Sequence, residues 1–231
     1  MISLEELAQF LDRFFAVERY GDDQGGIFRW AARPVRRLGL ALEPWPAIDE
    51  WAIEERLDAV FLHRPWQLES WQLPEIGVVA YHLAFDERLT IGFNPRLADA
   101  LQLSAIETLG EKAGRPIGMV GAVPEQSFSD YVKLLNQIFG RHDEAQTAAE
   151  ERMRRVAVVG AMTDALVREA ADRGAQIYVT GQYRQPAREA VRETGIGVIA
   201  VGHRRSEIWG LRALAGVIRE RWSMIEVIVA S

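Results

Sequence analysis

The order of its apolar runs most strongly constrains what this 231-residue chain can fold into. Short apolar runs, which predict buried strands, alternate with longer stretches whose apolar residues recur every three or four positions, which predict helices. Strands are expected at 35–42, 58–62, 76–81, 117–120, 155–159, 177–180, 198–201 and 225–229. Helices are expected at 3–17, 48–57, 94–103, 127–139, 163–173, 185–193 and 203–222. This alternation predicts an α/β fold with largely parallel or mixed sheets and helices on both faces.

Charge and composition exclude several classes of function. A formal net charge of -6 argues against a nucleic-acid partner, because phosphate binding normally requires a basic surface. The chain has no cysteine, so disulfides, thiolate zinc sites and cysteine nucleophiles are excluded together. No apolar run approaches the roughly 20 residues that span a bilayer, and the amino terminus lacks the order of a signal peptide. We therefore expect a cytoplasmic protein without membrane contact, whose metal sites would use histidine and carboxylate.

Histidines that follow predicted strands are the first candidates for chemistry. The chain has four histidines, at positions 63, 82, 142 and 203. His203 and Glu207 lie four residues apart on one predicted helix, which places their Cβ atoms about 6 Å apart on the same face. Such a pair is able to bind one ion at bonds of about 2.1 Å. His63 and His82 each come directly after a predicted strand, where functional side chains often lie.

Plainer interpretations exist for each of these residues. His82 and Asp86 have the same spacing of four but fall in a predicted loop, so spacing alone does not bring them together. Each histidine is equally compatible with a hydrogen-bonded residue at a strand end, and each acid with a surface charge. His142 lies in a polar loop, where a solvated side chain is the better interpretation. Three tryptophans flank the His63 strand end, and either core packing or a pocket wall explains them: Trp45, Trp66 and Trp71.

Two segments near the carboxyl end carry a resemblance to a known family. Residues 177–182 read Ile-Tyr-Val-Thr-Gly-Gln, and residues 202–207 read Gly-His-Arg-Arg-Ser-Glu. Together they resemble the carboxyl-terminal signature of the Nif-three-like dinuclear-metal proteins, which include the type-two GTP cyclohydrolase I homologues. Residues 58–65 resemble the family's strand ending in His-His-Pro, and 82–97 resemble its His-x-x-x-Asp and Gly-x-Asn-x-x-Leu motifs. The similarity covers nearly the whole chain.

The resemblance implies a metal site and a set of ligands. The implied ligands are His63, Asp86, His203 and Glu207, and His82 becomes a proton-transfer group. Arg64 stands where the family has a second histidine, and a guanidinium cannot be deprotonated to bind a cation. Gln182 replaces an acid that commonly follows the Thr-Gly motif. We therefore expect one divalent ion rather than two, with Zn, Fe(II) or Mn as candidates, or no ion at all if Arg64 occupies its place.

The resemblance also implies an architecture and an assembly. The family fold consists of two intertwined α/β/α lobes, assembled into a toroidal homohexamer. Loop signals near residues 104–116 give the lobe boundary. Lobe one would comprise residues 1–103 with 195–231 and carry most metal ligands, and residues 104–194 would form an inserted lobe two.

Three functions fit these expectations. The first is a metal-dependent hydrolase acting on a small phosphorylated or nucleotide-type substrate, with His82 or Glu207 moving a proton and Arg64 binding a substrate anion. The second is a non-catalytic binding or assembly protein in which Arg64 pairs with Asp86 or Glu207 in place of a metal. The third, a GTP cyclohydrolase proper, follows from the resemblance alone.

Overall fold

The computed structural model of the chain describes residues 1–150 and 152–230, which form two compact units. The first unit comprises residues 1–85 together with the chain from 210 onward, and the second comprises 86–209. The boundaries fall inside two helices, α3 (Leu83–Leu89) and α8 (His203–Arg221). Three of the four candidate ligands consequently belong to the second unit. The lobes expected from the sequence, divided after residues 103 and 194, stay a prediction.

The first unit contains a five-stranded mixed sheet. Its strands are β1 (Gly26–Arg29), β2 (Arg37–Ala41), β3 (Ala59–Leu62), β4 (Gly77–Ala80) and β13 (Glu226–Val229). The spatial order is β1-β4-β3-β2-β13, and all neighbours are parallel except β1 and β4. The short, entirely apolar strands β3 and β4 are buried along their whole length, as expected for central parallel strands.

Helices cover both faces of this sheet. Helix α1 (Leu4–Phe15) begins at Ser3, whose hydroxyl accepts the Glu6 amide at 3.1 Å while the Glu6 carboxylate accepts the Ser3 amide at 2.7 Å. At the other end of this helix Phe15 packs on Tyr81, with 5.0 Å between ring centroids. Helix α2 (Ile48–Glu54) contributes to a separate apolar cluster that includes Val60 of β3. Burial on both faces explains why these strands are continuous apolar runs.

The second unit contains a six-stranded mixed sheet and a short hairpin. The sheet strands are β5 (Ser104–Thr108), β8 (Gly118–Ser127), β9 (Glu144–Gln146), β10 (Arg152–Val159), β11 (Ile177–Thr180) and β12 (Gly197–Ala200). Their order is β5-β8-β10-β11-β12-β9, with β10, β11 and β12 parallel and the remaining pairs antiparallel. The hairpin pairs β6 (Glu111–Lys112) with β7 (Arg115–Pro116).

Alternating residues of the central strands face two separate cores. On β11, Ile177 and Val179 belong to one cluster, whereas Tyr178 belongs to the other. The helices that lie wholly within this unit include α4 (Pro95–Ala100), α5 (Phe128–Phe139), α6 (Asp164–Asp172) and α7 (Arg188–Thr194). Residues of α4 and α5 join the first cluster, and residues of α6 and α7 join the second. The unit is therefore a three-layered α/β/α arrangement.

The mixed α/β fold predicted from the alternation is confirmed, with local differences. The sequence pattern missed the strands β1, β5, β6, β7 and β9, which are short, and most of which lie at edges and carry polar or exposed side chains. The segment after His82, predicted as a loop, is helix α3. Within the described residues, no helix combines the length and apolar character needed to cross a membrane.

Three buried tyrosines predict a loss of stability at alkaline pH. Burial raises the pKa of Tyr81, Tyr131 and Tyr178, and for Tyr81 a hydrogen bond to Asp12 adds to the effect. Above pH of about 10 the unfolded chain releases these phenolic protons while the folded chain retains them. The free energy of unfolding should then fall by about 1.4 kcal/mol per pH unit for each tyrosine. Urea unfolding on either side of pH 10 measures this slope. Tyr178→Phe should reduce the slope by about a third. An unchanged slope in this variant would mean that Tyr178 does not cause the loss of stability.

Candidate metal centre

The first turn of α8 brings His203 and Glu207 together. The His203 Nε2 atom lies 3.0 Å from the Glu207 Oε1 atom. Two donors bonded to one ion at about 2.1 Å are separated by about 3 Å when they occupy neighbouring coordination positions. The Glu207 side chain is fully buried, whereas 64% of the His203 side chain is exposed. The pair therefore combines a solvent-accessible nitrogen ligand with a buried oxygen ligand.

Asp86 of helix α3 completes a three-residue cluster in the second unit. One ligand atom each from Asp86, His203 and Glu207 lies within 4.8 Å of the other two. Two carboxylates and one imidazole form a hard donor set that suits Zn, Fe(II) or Mn. Burying a carboxylate as deeply as that of Glu207 is costly unless a cation compensates its charge. The chemistry of these residues thus fits a divalent ion.

Backbone geometry at the junction of β12 and α8 fixes where this cluster forms. The Gly202 amide donates to the Gly181 carbonyl at 3.0 Å, which extends the strand pairing to the residue before the helix. Gly202 has a φ of +94°, a conformation that favours glycine, so the chain turns sharply into the helix here. The pairing of Gly202 with Gly181 and the turn at Gly202 therefore position the histidine before any ion binds.

In the first unit, His63 is held in one tautomer at the end of β3. Its Nδ1 atom lies 3.1 Å from the carbonyl oxygen of Tyr81, and its ring is fully buried with its centroid 4.8 Å from that of Phe85. Because a carbonyl only accepts hydrogen bonds, Nδ1 carries the proton in the neutral ring and Nε2 carries the lone pair. In histidines that bind metals, the ring nitrogen that does not contact the ion is typically held by such a hydrogen bond.

His82 is oriented by a carboxylate that the sequence did not reveal. Its Nδ1 atom lies 2.9 Å from the Asp23 Oδ2 atom, so the imidazole donates to the acid and leaves Nε2 as a base. The His82 ring lies 5.1 Å from His63 and 4.8 Å from Trp66, measured between centroids. These four residues line one cavity of about 270 Å³ in the first unit. Asp23 lies 59 positions from His82 in the sequence, and no local spacing connects the two.

Arg64 pairs with a carboxylate that no sequence pattern indicated. Its Nε atom lies 3.3 Å from the Glu43 Oε2 atom, and the guanidinium is partly buried. The structure thus gathers Asp86, His203 and Glu207 in the second unit, and His63 and His82 in the first. The role of His63 as a fourth ligand stays a prediction.

Comparison with known proteins identifies the family. The family model described as Duf34/NIF3 (NGG1p interacting factor 3) matches residues 2–231. The chain belongs to this family. The predicted resemblance is thereby confirmed. Two relatives named "GTP cyclohydrolase 1 type 2 homolog" are each 25% identical to this NIF3-family chain. The Pseudomonas aeruginosa relative aligns over 240 residues, covering 96% of this chain and 95% of its own length. The Pyrococcus horikoshii relative aligns over 245 residues, covering 97% and 96%.

Solved structures share the fold of this NIF3-family chain. A protein named ybgI, of unknown function, superposes with a TM-score of 0.79 at 20% identity and covers 99% of this chain and 98% of its own. A NIF3 superfamily protein from Sphaerobacter thermophilus superposes with a TM-score of 0.60 at 16% identity, over 100% of this chain and 98% of its own. At these identities the comparison establishes the fold.

Proposed function

We propose that this NIF3-family protein is a metal-dependent hydrolase acting on a small phosphorylated or nucleotide-type molecule. The observation that carries the proposal is the cluster of Asp86, His203 and Glu207 within one unit. We assign one divalent ion to this cluster and add His63 as a fourth ligand, because its tautomer presents Nε2 as a donor. When bound, a divalent ion supplies Lewis acidity that makes water nucleophilic near neutral pH.

His82 is the residue best placed to move a proton. Its bond to Asp23 fixes the tautomer with the proton on Nδ1 and the lone pair on Nε2, and the acid stabilises the imidazolium that forms after a proton is taken up. The side chain is 28% exposed in its cavity, so a substrate is able to reach it.

Arg64 supports the anionic part of the proposed substrate. A guanidinium binds phosphate oxygens through two parallel hydrogen bonds, and a phosphate would replace the Glu43 carboxylate that lies 3.3 Å from Arg64 Nε. The name of the Pseudomonas aeruginosa relative makes GTP one member of the substrate panel.

We also propose that the protein is cytoplasmic and assembles as a homohexamer. Light scattering should then give a mass six times that of the chain.

Substitution at His82 tests the catalytic part of this proposal. With a panel of phosphate esters and nucleotides, His82→Ala should lower kcat by about 100-fold or more, because a positioned general base contributes about 10²- to 10⁴-fold. Asp23→Asn should lower kcat less and shift the pH profile, while metal content stays unchanged in both variants. His142→Ala is the matched control, since this histidine bonds locally to Asn136 at 2.9 Å.

Two results would contradict the proposed hydrolase activity. A metal-loaded wild type that turns over no member of the panel would favour the non-catalytic binding protein. A wild type that binds no metal would favour the form in which Arg64 replaces the ion.

A further inference from the structure

A second cavity of the first unit is walled by tryptophans. It has a volume of about 530 Å³, and its lining includes Trp45, Trp66, Trp71, Gln67, Glu69 and Gln72. The Trp66 and Trp71 residues are 64% and 65% exposed, which is unusual for two large apolar side chains that share one surface. Among the described residues that line it, none carries a positive charge. We call it the tryptophan cavity.

Hydrogen bonds fix the segments that carry these tryptophans. The Gln72 side chain is buried; it donates to the Trp45 carbonyl at 3.1 Å and accepts the Glu69 amide at 3.1 Å. Arg29 donates to the carbonyls of Glu69, at 3.2 Å, and of Gln72. The loop of residues 69–72 is therefore anchored to the segment of Trp45. A preformed surface binds without the entropic cost of ordering its own loops.

The cavity offers hydrogen-bond donors as well as flat apolar faces. Within residues 1–150 and 152–230, the indole N–H groups of Trp66 and Trp71 meet no acceptor, and neither does the side-chain amide of Gln67. By contrast, the Gln72 amide is already occupied by the anchoring bonds. A ligand of this cavity must therefore present apolar surface for stacking together with exposed acceptors.

We propose that the tryptophan cavity binds a proline-rich segment of another protein in the polyproline II conformation. Such a segment has no internal hydrogen bonds, so its backbone carbonyls are available to indole and amide donors. Its proline rings pack flat on aromatic side chains, and its preformed helix loses little entropy on binding. This inference goes beyond the proposed hydrolase and depends on no part of it.

Charge selects the flanking residue of the peptide. Glu69 is exposed at the rim, and within the described residues its carboxylate forms no ion pair. A lysine or arginine next to the prolines would face this carboxylate, whereas an acidic residue would be repelled. A basic flank therefore fits the cavity better than a neutral or acidic one.

A glycan fits these observations less well. Sugar hydroxyls both donate and accept, and they need several polar side chains around the aromatic platform. Here the Gln72 side chain is buried and bonded to the Trp45 carbonyl and the Glu69 amide, which leaves Gln67 and Glu69 for that purpose. The donors that remain match a ligand that mainly accepts.

Anisotropy of a labelled peptide tests the proposal with the full chain. The probe is one arginine followed by eight prolines, and the control peptide replaces the prolines with alternating glycine and serine. The wild type should bind the first peptide saturably and the second not at all. Trp71→Ala should weaken binding by at least about tenfold, since exposed tryptophans that stack on a ligand are frequent hot spots. Trp30→Ala is the matched control, because this tryptophan is 60% exposed outside the cavity and should leave binding unchanged.

A variant of Glu69 separates the contribution of charge from that of the tryptophans. Glu69→Gln should reduce the affinity for the arginine peptide to that of a peptide in which glutamine replaces the arginine. No saturable binding by the wild type overturns the proposal, as does binding that Trp71→Ala leaves unchanged. Binding of a β-linked glucose hexaose in place of the peptide would assign a glycan instead. A change in oligomeric mass on Trp71→Ala, without any peptide binding, would assign the surface to a second copy of this chain.

Discussion

Replacing Glu207 by glutamine is expected to lower the affinity for a divalent ion by more than about 100-fold. The Glu207 carboxylate is fully buried and lies 3.0 Å from His203 Nε2, so it is the donor least accessible to water. Glutamine keeps the shape of the side chain but removes the negative charge that attracts the cation. Losing a direct ligand should cost more than the about 10- to 100-fold that follows loss of a residue orienting a ligand.

Metal content and thermal stability measure this effect independently of any activity. The wild type should retain about one equivalent of ion after dialysis and lose stability on chelation, because a ligand of the folded state alone stabilises it. Glu207→Gln and His203→Ala should retain little metal and show no response to chelator. His142→Ala should behave like the wild type, since that residue lies outside the cluster. Equal metal content in Glu207→Gln and the wild type would remove Glu207 from the site.

Local signals account for what the sequence predicted well. The helix expected at 3–17 corresponds to α1, whose start is a capping box of Ser3 and Glu6 that satisfies backbone amides within four residues. The juxtaposition of His203 and Glu207 follows from helical spacing in the same way. In both cases the interacting groups are close in sequence, so the pattern contains the contact.

Contacts between residues far apart in the sequence account for the features that the sequence pattern did not predict. Asp23 reaches His82, and Glu43 reaches Arg64 across 21 positions, through folding that no local pattern records. The strand β1 has only four residues, two of them exposed, so its alternation is too short to detect. Helix α3 was missed because a seven-residue helix directly after a strand offers little periodicity. Tertiary packing supplies most of the stability of so short a helix.

Replacing Arg115 by methionine is expected to destabilise the protein by about 3–5 kcal/mol. Its Nε and Nη2 atoms lie 2.8 and 3.1 Å from the two carboxylate oxygens of Glu87, and only 9% and 13% of these side chains are exposed. Removing the guanidinium leaves a carboxylate buried without this cation, which is costly. The double variant Arg115→Met with Glu87→Leu should recover at least half of the loss, because two apolar residues replace the whole pair.

An exposed pair in the same unit is the matched control. Arg168 contacts both carboxylate oxygens of Asp164 at 2.8 and 3.2 Å, but 42% and 47% of these side chains are exposed. Arg168→Met should therefore cost about 1 kcal/mol or less in urea unfolding. Equal costs at the two positions would show that burial does not decide the effect.

The buried pair is also expected to support the candidate metal site. Glu87 is the neighbour of Asp86 in α3, so its bonds to Arg115 on β7 hold the helix that presents Asp86 to His203 and Glu207. Arg115→Met should then weaken metal binding at temperatures where the protein remains folded, and Arg168→Met should not. Unchanged metal affinity in folded Arg115→Met would mean that Asp86 keeps its position without the pair, or does not bind the ion. Metal titration of Asp86→Asn separates these two explanations, because only a direct ligand loses affinity when its charge is removed in place.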